Sequence, residues 1–368
     1  MSADGMTYAD AGVDIHAGDK AVELMKAAVA LTHGSEVLGG VGAFAGLFDA
    51  SALLGYKRPL LASSTDGVGT KIVIAKAMGV HDTIGRDLVA MVVDDIVVCG
   101  AKPLLMTDYI ACGRVVPERI ADIVRGIAEG CVEAGVALVG GETAEHPGVM
   151  EPEDYDVAGA AIGVVEASKV LGPDKVQAGD VVVAMASSGL HSNGYSLVRA
   201  IVASQGWTLE TYAPELSRSL GAELLEPTRI YSKLCVDLAA RFDGLHALSH
   251  VTGGGLAANL ARVLPKGLAA TVARDSWSLP AIFALLQDAG KVPWGDLEAT
   301  LNLGVGMVAV VAPGDVAAVV EACGTAGVAA WIVGEVSPDP GRPTSPDVVR
   351  GAKGVDGGAV ILTGTYQV

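Results

Sequence analysis

The stretch from residue 82 to residue 100 has the hydrophobic pattern of a helix. Its apolar residues recur at intervals of three and four positions, at Leu88, Met91, Val92, Ile96 and Cys99. Asp95 lies on this apolar stripe, where a carboxylate is costly unless it is paired, hydrogen-bonded or bound to a metal. Asp95 is therefore a candidate functional residue, whereas Asp94 points about a third of a turn away and is expected to be solvated.

A second helical pattern runs from Pro117 to Gly135, with a proline at its start and a glycine at its end. It leads into a short predicted strand, Val136–Val139. The apolar run Val157–Val165 predicts a buried strand. Pro, Gly and Asp are frequent between Pro338 and Gly358, which predicts a loop.

Turn residues around Gly172 and Asp180 interrupt these patterns before the new strand that begins at Val181. A chain of 368 residues is long enough for two cores. We therefore expect two domains, residues 1–173 and residues 174–368.

The composition limits the classes of partner. A formal net charge of −17 argues against non-specific binding to nucleic acid or to an anionic membrane. The five cysteines are widely spread and contain no Cys-x-x-Cys pair, so neither a zinc site nor a disulfide framework is indicated. No apolar run reaches the length of a membrane span, and a cytoplasmic location is expected.

The segment Asp66–Lys71 follows the apolar residues Leu60 and Leu61 and combines the chemistry of a phosphate site. Gly67 and Gly69 let the backbone approach a ligand closely, and Thr70 offers a hydroxyl. Lys71 supplies a positive charge, and Asp66 is able to coordinate a divalent cation. The spacing is not that of a P-loop, so an ordinary turn after a strand remains the alternative.

A second group of glycines with an acid follows the predicted strand at Val136–Val139. It consists of Gly140, Gly141 and Glu142. Taken alone, Glu142 is more often a solvated loop residue. Because the same arrangement recurs after two strands, Asp66, Asp95 and Glu142 are expected to converge on one ligand.

Two polar, glycine-rich segments in the second half each precede a helical pattern. The first contains His191, Ser192, Asn193 and Gly194, and the second contains Thr252, Gly253, Gly254 and Gly255. The start of a helix favours an anion. His191 is a candidate phosphate ligand or proton shuttle, although a lone histidine in a loop is more often a surface residue.

Taken together, these motifs resemble the aminoimidazole ribonucleotide synthetase family, within the PurM-like ATP-binding superfamily. The resemblance covers almost the whole chain, and its strength lies in the order and spacing of the motifs. They are Tyr8–Asp14, Thr65–Lys71, His81–Gly85, Gly140–Glu145, Asp154–Gly159, Ser188–Val198, Pro227–Tyr231 and Thr252–Gly255.

The resemblance implies a two-domain α/β (α+β) fold. In this fold the N-terminal sheet forms a dimeric β-barrel with a second copy, and the active site lies between the domains. The implied reaction is ATP-dependent cyclisation of formylglycinamidine ribonucleotide to 5-aminoimidazole ribonucleotide in purine biosynthesis. Partners other than this substrate and a second subunit, such as nucleic acid or a membrane, are not implied.

The family pattern also assigns ligands to residues. ATP is expected at Asp66, Gly67, Gly69, Thr70, Lys71, Asp94, Asp95, Gly140, Gly141 and Glu142. Magnesium is expected on Asp66, Asp95 and Glu142, and whether potassium takes part is left open. The substrate is expected at His191–Gly194 and Thr252–Gly255. Asp66, Lys71 and His191 are the implied catalytic residues, and His191 is the candidate for proton transfer.

Two positions depart from the family pattern: Asp94 stands where asparagine is expected, and His146 stands where methionine is common. Among related enzymes, a selenophosphate synthetase is disfavoured because the loop Gly39–Gly42 has no cysteine. A thiamine-monophosphate kinase is disfavoured because Val251–Gly255 lacks an Asp-x-Ser-Asp-Gly pattern. A non-catalytic nucleotide-binding module remains the alternative of a different class.

Overall fold

The computed structural model describes residues 8, 11–40, 42–352 and 354–367. Ala9 and Asp10 of the first motif, and Val41 of the loop at Gly39–Gly42, lie outside the described residues. The helices are α1 (Ile15–Ala30), α2 (Ile72–Met78), α3 (Thr83–Val97), α4 (Pro117–Ala134), α5 (Tyr195–Ser204), α6 (Leu220–Leu224), α7 (Ser232–Arg241), α8 (Gly255–Arg262), α9 (Ala281–Gly290), α10 (Trp294–Glu298) and α11 (Val316–Thr325).

The strands fall into two larger sheets and two short pairs. They are β1 (Val37–Leu38), β2 (Leu47–Phe48), β3 (Pro59–Gly67), β4 (Lys102–Cys112), β5 (Ala137–Glu145), β6 (Tyr155–Glu166), β7 (Val181–Ala186), β8 (Tyr212–Ala213), β9 (Arg218–Ser219), β10 (Leu245–His250), β11 (Leu268–Ala273), β12 (Val305–Val311), β13 (Ala330–Pro338), β14 (Val348–Ala352) and β15 (Val355–Thr363).

The first half of the chain forms a four-stranded sheet in the order β3-β6-β4-β5. Residues of alternate parity along each strand point to opposite faces of this sheet. One face is covered by α3 and α4, which also pack against each other, and α1 packs on α4. β3 and β5 are the two edge strands. The residues at the end of β3 and those at the end of β5 therefore lie at opposite edges of the sheet.

The helix predicted from Pro117 to Gly135 is confirmed as α4. Pro117 occupies the first turn, where its missing N–H costs nothing, and Gly135 ends the helix with a φ of 74°. The helix predicted over residues 82–100 is confirmed as α3. Nearly every residue of α3 is buried because the helix lies between the first sheet and the second half of the chain.

The second half forms a seven-stranded sheet in the order β10-β12-β7-β13-β11-β15-β14. Every residue of β12, the second strand from the β10 edge, is buried, because helices cover both faces of the sheet. The prediction of a loop from Pro338 to Gly358 is wrong for its second part, where β14 and the start of β15 form a hairpin. The glycines there do not prevent pairing, since β15 is held between β11 and β14.

The strand predicted at Val136–Val139 is also longer than expected. β5 continues through Gly140, Gly141 and Glu142 to Glu145, because β4 pairs with it along this whole length. These three residues therefore lie within an edge strand and not in a loop after it. Among the described helices, none has both the length and the apolar character that a membrane span requires.

Candidate functional site between the two sheets

The end of β3, the helix α3 and two loops of the second half meet in one cleft. Ser192 donates a hydrogen bond to the carbonyl of Val68 (3.2 Å), and the hydroxyls of Thr70 and Ser196 lie 3.3 Å apart. Asn193 accepts a hydrogen bond from the backbone N–H of Gly253 (3.0 Å). The motifs around Asp66, His191 and Thr252 are thus brought together, although they are far apart in the chain.

The acidic side of this cleft is formed by Asp66 and Asp95 around a buried histidine, His250. Nδ1 of His250 lies 2.9 Å from Oδ1 of Asp95, whose side chain is 42% exposed. Asp66 lies at the end of β3, where its Oδ1 accepts the N–H of Gly67. His250 therefore orients one of the two carboxylates that face the cleft.

The charge state of His250 reflects these neighbours. Burial alone lowers its pKa, but the hydrogen bond to Asp95 and the negative charges of Asp94, Asp95 and Asp66 more than offset this effect. The pKa of His250 is consequently raised above its usual value. His250 was not among the predicted site residues; its position at the end of β10, directly before a glycine-rich turn, is the signal that would have identified it.

The expected exposures of Asp94 and Asp95 were the wrong way round. Asp94 is fully buried and both of its oxygens accept the backbone N–H of Tyr231 at 3.1 Å, while Asp95 faces the cleft. Burial raises the pKa of Asp94 to about 7. The pattern failed because α3 is covered on two sides, so its apolar stripe does not mark the only buried face.

Lys71 lies in the protein interior and not on the cleft surface. Its ammonium group lies 2.9 Å from Asp87 and donates to the carbonyls of His191 (3.1 Å) and Glu226 (2.6 Å). Burial lowers the pKa of Lys71 even though the charge of Asp87 opposes that shift. In this conformation a phosphate group cannot reach Lys71, so the geometry does not support its expected contact with ATP.

Asp87 and Asp94 attach α3 to one segment of the second half. Asp87 accepts hydrogen bonds from the backbone N–H (2.7 Å) and the hydroxyl (2.6 Å) of Thr228, and Asp94 binds the N–H of Tyr231. The two carboxylates lie roughly two helical turns apart on the same helix. They fix the segment Thr228–Tyr231 against α3.

The remaining predicted ATP residues near Asp66 are accessible. Gly69 and Thr70 are exposed, and Gly69 has a φ of 72°, a left-handed conformation that favours glycine. Gly67 is more restricted, because an added Cβ would lie 3.2 Å from the carbonyl oxygen of Val157. This short turn presents its backbone to the cleft beside the acidic pair.

Gly140, Gly141 and Glu142 are not brought to this cleft within one chain. Along the register of the sheet, Asp66 is opposite Gly159, Gly159 is opposite Asp108, and Asp108 is opposite Gly141. Three strand spacings, roughly 14 Å, therefore separate the Asp66 edge from the Gly141 edge. Over the described residues, no three His, Cys, Asp or Glu side chains cluster closely enough to hold a metal ion.

The Gly141 edge has a cavity of its own, with a volume of about 300 Å³. It lies between α1, β5 and the loop that connects β1 to β2, and Asp108 forms part of its wall. Burial raises the pKa of Asp108 to about 7. Gly141 lies close to this carboxylate: a Cβ here would lie 2.1 Å from an oxygen of Asp108, so a larger residue would require the Asp108 side chain to move.

In the two loops of the second half, glycines occupy positions with a positive φ or with a neighbouring atom too close for a side chain. Gly194 precedes α5 with a φ of 79°, and Gly254 precedes α8 with a φ of 106°. Gly255 begins α8, where a Cβ would lie 1.7 Å from the carbonyl oxygen of Glu298. Both predicted substrate segments therefore begin a helix, so each directs backbone N–H groups toward the cleft.

Two family models match the chain. The N-terminal domain of AIR synthase related proteins matches residues 49–165, and the C-terminal domain of the same proteins matches residues 177–343. The chain belongs to the family of AIR synthase related proteins, which confirms the resemblance predicted from the sequence.

Within that family, several similar relatives are named phosphoribosylformylglycinamidine cyclo-ligase. The enzyme of Geobacillus kaustophilus is 51% identical over 331 residues, covering 90% of this chain and 95% of the relative. The enzyme of Desulfitobacterium hafniense is 50% identical over 333 residues, covering 90% of this chain and 97% of the relative. The name of these relatives describes the cyclisation reaction that the family resemblance implied.

Solved structures confirm the predicted fold class, although their identities are too low to indicate function. Thiamine-monophosphate kinase from Stenotrophomonas maltophilia has a TM-score of 0.64 at 20% identity, covering 95% of this chain and 97% of its own. Hydrogenase maturation protein HypE in complex with ATP has a TM-score of 0.55 at 18% identity, covering 76% and 78%. PurL of Thermotoga maritima complexed with ADP has a TM-score of 0.53 at 17% identity, covering 84% and 42%.

Proposed function

We propose that the chain converts formylglycinamidine ribonucleotide into 5-aminoimidazole ribonucleotide with consumption of ATP, and that the reaction occurs in the cleft around Asp66 and Asp95. The observation that carries this proposal is the meeting of an acidic pair from the first half with two anion-favouring loops from the second half. The name shared by relatives about half identical to the chain supports the choice of reaction.

The chemistry requires activation of an amide. The formamide oxygen attacks the γ-phosphorus of ATP, so that an O–P bond forms and ADP leaves. The neighbouring amidine nitrogen then attacks the formamide carbon, and the C–O bond breaks to release phosphate. Phosphoryl transfer depends mainly on positioning and on neutralisation of the developing charge, which suits a preorganised polar cleft.

Asp66 and Asp95 fit a magnesium ion bound to the triphosphate. Magnesium usually takes one or two carboxylates, and phosphate oxygens and water complete its coordination. Two exposed or half-exposed carboxylates held by Gly67 and His250 meet this requirement without a third protein ligand. The exposed backbone at Gly69 and Thr70 would contact the phosphates, and ATP or ADP is present in two relatives of the same fold.

Glu142, Gly140 and Gly141 would then contribute from a second subunit. The face of the first sheet opposite α3 and α4 carries exposed apolar side chains, including Leu61 (65% exposed), Tyr109 and Ile162. A second copy covering this face would form the predicted homodimeric barrel and bury these residues. In such a dimer the β5 edge of one subunit is available to the Asp66 edge of the other.

The substrate would bind between His191–Gly194 and Thr252–Gly255, where backbone N–H groups and the side chains of Ser192 and Asn193 line the cleft.

We further propose the domain limits 1–173 and 174–368, which the separate sheets and family models support. Five free thiols are compatible with a cytoplasmic location.

A single assay tests this function. Purified protein, magnesium ATP and formylglycinamidine ribonucleotide should yield ADP, phosphate and 5-aminoimidazole ribonucleotide in equal amounts. Asp95→Asn should lower turnover by about 10³-fold, because it removes both a ligand charge and the negative charge beside His250. Asp243→Asn, a change in an exposed carboxylate that pairs with Lys169, is the matched control and should leave turnover unchanged.

Nucleotide binding by the wild-type protein without any product would instead favour a non-catalytic nucleotide-binding module. Omission of potassium from the same assay tests whether a monovalent cation is needed. Full activity of Asp95→Asn would exclude the proposed magnesium site while leaving the reaction itself established.

A further inference from the structure

The two predicted substrate loops lie on either side of the start of β12. The first loop, residues 187–194, follows β7, and the second loop, residues 252–255, comes shortly after β10. Both strands run antiparallel to β12, so that Val305 is opposite Ala186 at the end of β7 and Met307 is opposite His250 at the end of β10. Residues 298–306, the entry segment, lead into β12 and therefore reach both loops.

Backbone hydrogen bonds attach the beginning of each loop to the entry segment. The N–H of Ser187 donates to the carbonyl of Gly304 at 2.9 Å. The N–H of Val251 donates to the carbonyl of Gly306, also at 2.9 Å. The two loops thus begin two residues apart on the same stretch of backbone.

The end of each loop packs against the same segment. A Cβ on Gly194, the last residue of the first loop, would lie 2.3 Å from Cδ2 of Leu301. The corresponding contact of the second loop is that of Gly255 with the carbonyl oxygen of Glu298. The entry segment therefore sets where both loops begin and where both end.

Asn302 joins the entry segment to the first loop through its side chain, which is only 4% exposed. Its Nδ2 donates to the carbonyl of Gly189 (2.9 Å). Its Oδ1 accepts the N–H of Gly304 (2.8 Å) and the hydroxyl of Ser187 (3.3 Å). Both the donor and the acceptor of the amide are thus used in this junction.

The backbone on both sides of this junction is in an unfavourable conformation. Leu303 is buried with a φ of 48°, and its carbonyl accepts the indole N–H of Trp277 at 3.0 Å. In the first loop, His191 is buried with a φ of 61°, and its Nε2 accepts the N–H of Ser188 at 3.1 Å. Side chains other than glycine adopt such values only where their surroundings impose them, and functional sites are enriched in them.

Tyr366 holds the other end of the entry segment. Its hydroxyl donates to Oε1 of Glu298 at 2.7 Å, and Arg274 donates to both oxygens of the same carboxylate. The ring of Tyr366 packs against Trp277 and Trp294, with ring centroids 5.5 Å and 5.2 Å apart. These contacts fix the backbone of Glu298 against the start of α8.

We propose that Asn302 and Tyr366 are positioning residues, which fix the spacing of the two loops through the entry segment and thereby set the affinity for the substrate bound between them. This inference rests on the proposed function. Each residue acts through the backbone that it holds and not by contact with the substrate.

Amide hydrogen exchange, followed by mass spectrometry, tests the positioning without any activity measurement. In Asn302→Ala, peptides that cover residues 187–194 should exchange about tenfold faster than in the wild type, because the loop loses its hydrogen bonds to residue 302. In Tyr366→Phe, peptides that cover residues 252–255 should show a smaller increase in the same direction. Unchanged exchange of these loops in both variants would overturn the proposal.

Asp315→Ala is the matched control. Asp315 follows the opposite end of β12, where its carboxylate accepts the N–H of Gly244 at 3.1 Å and joins two loops there. This change should lower the urea midpoint of unfolding while leaving the exchange of both substrate loops as in the wild type. If Asp315→Ala accelerates their exchange as much as Asn302→Ala does, general loss of stability is the cause and the proposal fails.

Steady-state kinetics provide a second readout. Loss of folded protein lowers the apparent kcat and leaves each KM unchanged, whereas altered loop spacing weakens substrate binding. We expect Asn302→Ala to raise the KM for formylglycinamidine ribonucleotide about tenfold and to leave the KM for ATP within about twofold of wild type. A lower kcat with both KM values unchanged would contradict the positioning role.

Failure of the proposed function would be seen separately. A wild-type protein that makes no 5-aminoimidazole ribonucleotide would refute the cyclisation, whereas the exchange experiment would still decide whether Asn302 and Tyr366 fix the loops. If Asn302→Ala does not fold, Tyr366→Phe decides the proposal in its place, since it loses a single hydroxyl.

Discussion

The two edges of the four-stranded sheet differ in the number of predicted site residues that one chain brings together there. At the β3 edge, Asp66 meets Asp95, a buried histidine and the loops of the second half. At the β5 edge, Glu142 is exposed and borders a cavity whose wall includes Asp108. One chain therefore assembles an acidic cleft at one edge and leaves a second group of predicted nucleotide ligands at the other. Under the proposed function, the second group would reach the cleft only if a second copy of the chain supplied it.

The largest expected effect comes from combining defects at the two edges. Asp66→Asn and Glu142→Gln should each lower turnover by about 10³-fold as homodimers, since each removes a charge that positions the nucleotide. If each site takes Asp66 from one subunit and Glu142 from the other, a mixed dimer has one intact site. Co-expression of the two variants should then restore roughly a quarter of wild-type turnover, from random pairing of subunits.

No recovery on co-expression, with mixed dimers demonstrated by two different affinity tags, would show that the two edges do not share a site. In that case the β3 edge alone would contribute to the active site, and the β5 edge would have a structural role.

The next largest effect concerns the buried contact that holds the β3 edge. Lys71→Met removes the partner of Asp87 and leaves a buried carboxylate without its counter-charge, so the free energy of unfolding should fall by about 3–5 kcal/mol. Lys76→Met removes only the partly exposed pair with Asp154 and should cost at most about 1 kcal/mol. Urea unfolding of both variants measures the difference.

Similar losses in the two variants would mean that the buried pair contributes no more than a surface pair. The position of the residues at the β3 edge would then have to be fixed by apolar packing alone.

The smallest effect is a pH dependence at Asp108, near the β5 edge. Burial raises its pKa to about 7 in the folded protein, against about 4 in the unfolded chain. Between these values the folded state holds a proton that the unfolded state has lost, so the contribution of Asp108 to stability falls as pH rises from about 4 to about 7. Asp108→Asn should therefore gain on the order of 1–3 kcal/mol at pH 8 and much less at pH 5.

Thermal or urea unfolding at the two pH values measures this gain, with Asp237→Asn, a change in an exposed carboxylate of α7, as the control. A gain of equal size at both pH values would show that titration of Asp108 is not its cause.

Much of the fold followed from local patterns. Pro117 and Gly135 mark α4 correctly because both residues act through their own backbone, which a sequence reveals directly. The end of β5 was missed because glycines at 140 and 141 suggest a turn, whereas pairing with β4 keeps them extended. Such pairing depends on a strand about thirty residues earlier in the chain, which no local pattern records.

The site was predictable in its motifs but not in its contacts. Asp66, Asp95 and the loops at His191 and Thr252 do share a cleft, as their order in the family pattern implied. The exposures of Asp94 and Asp95, and the burial of Lys71, depend on how the second half covers α3. The residues that pack over α3 are more than a hundred positions away in the chain, so this burial depends on tertiary contacts that a local sequence pattern does not record.

The double attachment of α3 to Thr228–Tyr231 limits the ways in which a substrate can enter. A single contact between two bodies acts as a pivot, whereas two contacts roughly 10 Å apart along a helix resist rotation about either one. Asp87 and Asp94 provide two such contacts, and both are buried. Access to the cleft should therefore arise from rearrangement of its short loops, while the two sheets keep their mutual orientation throughout the catalytic cycle.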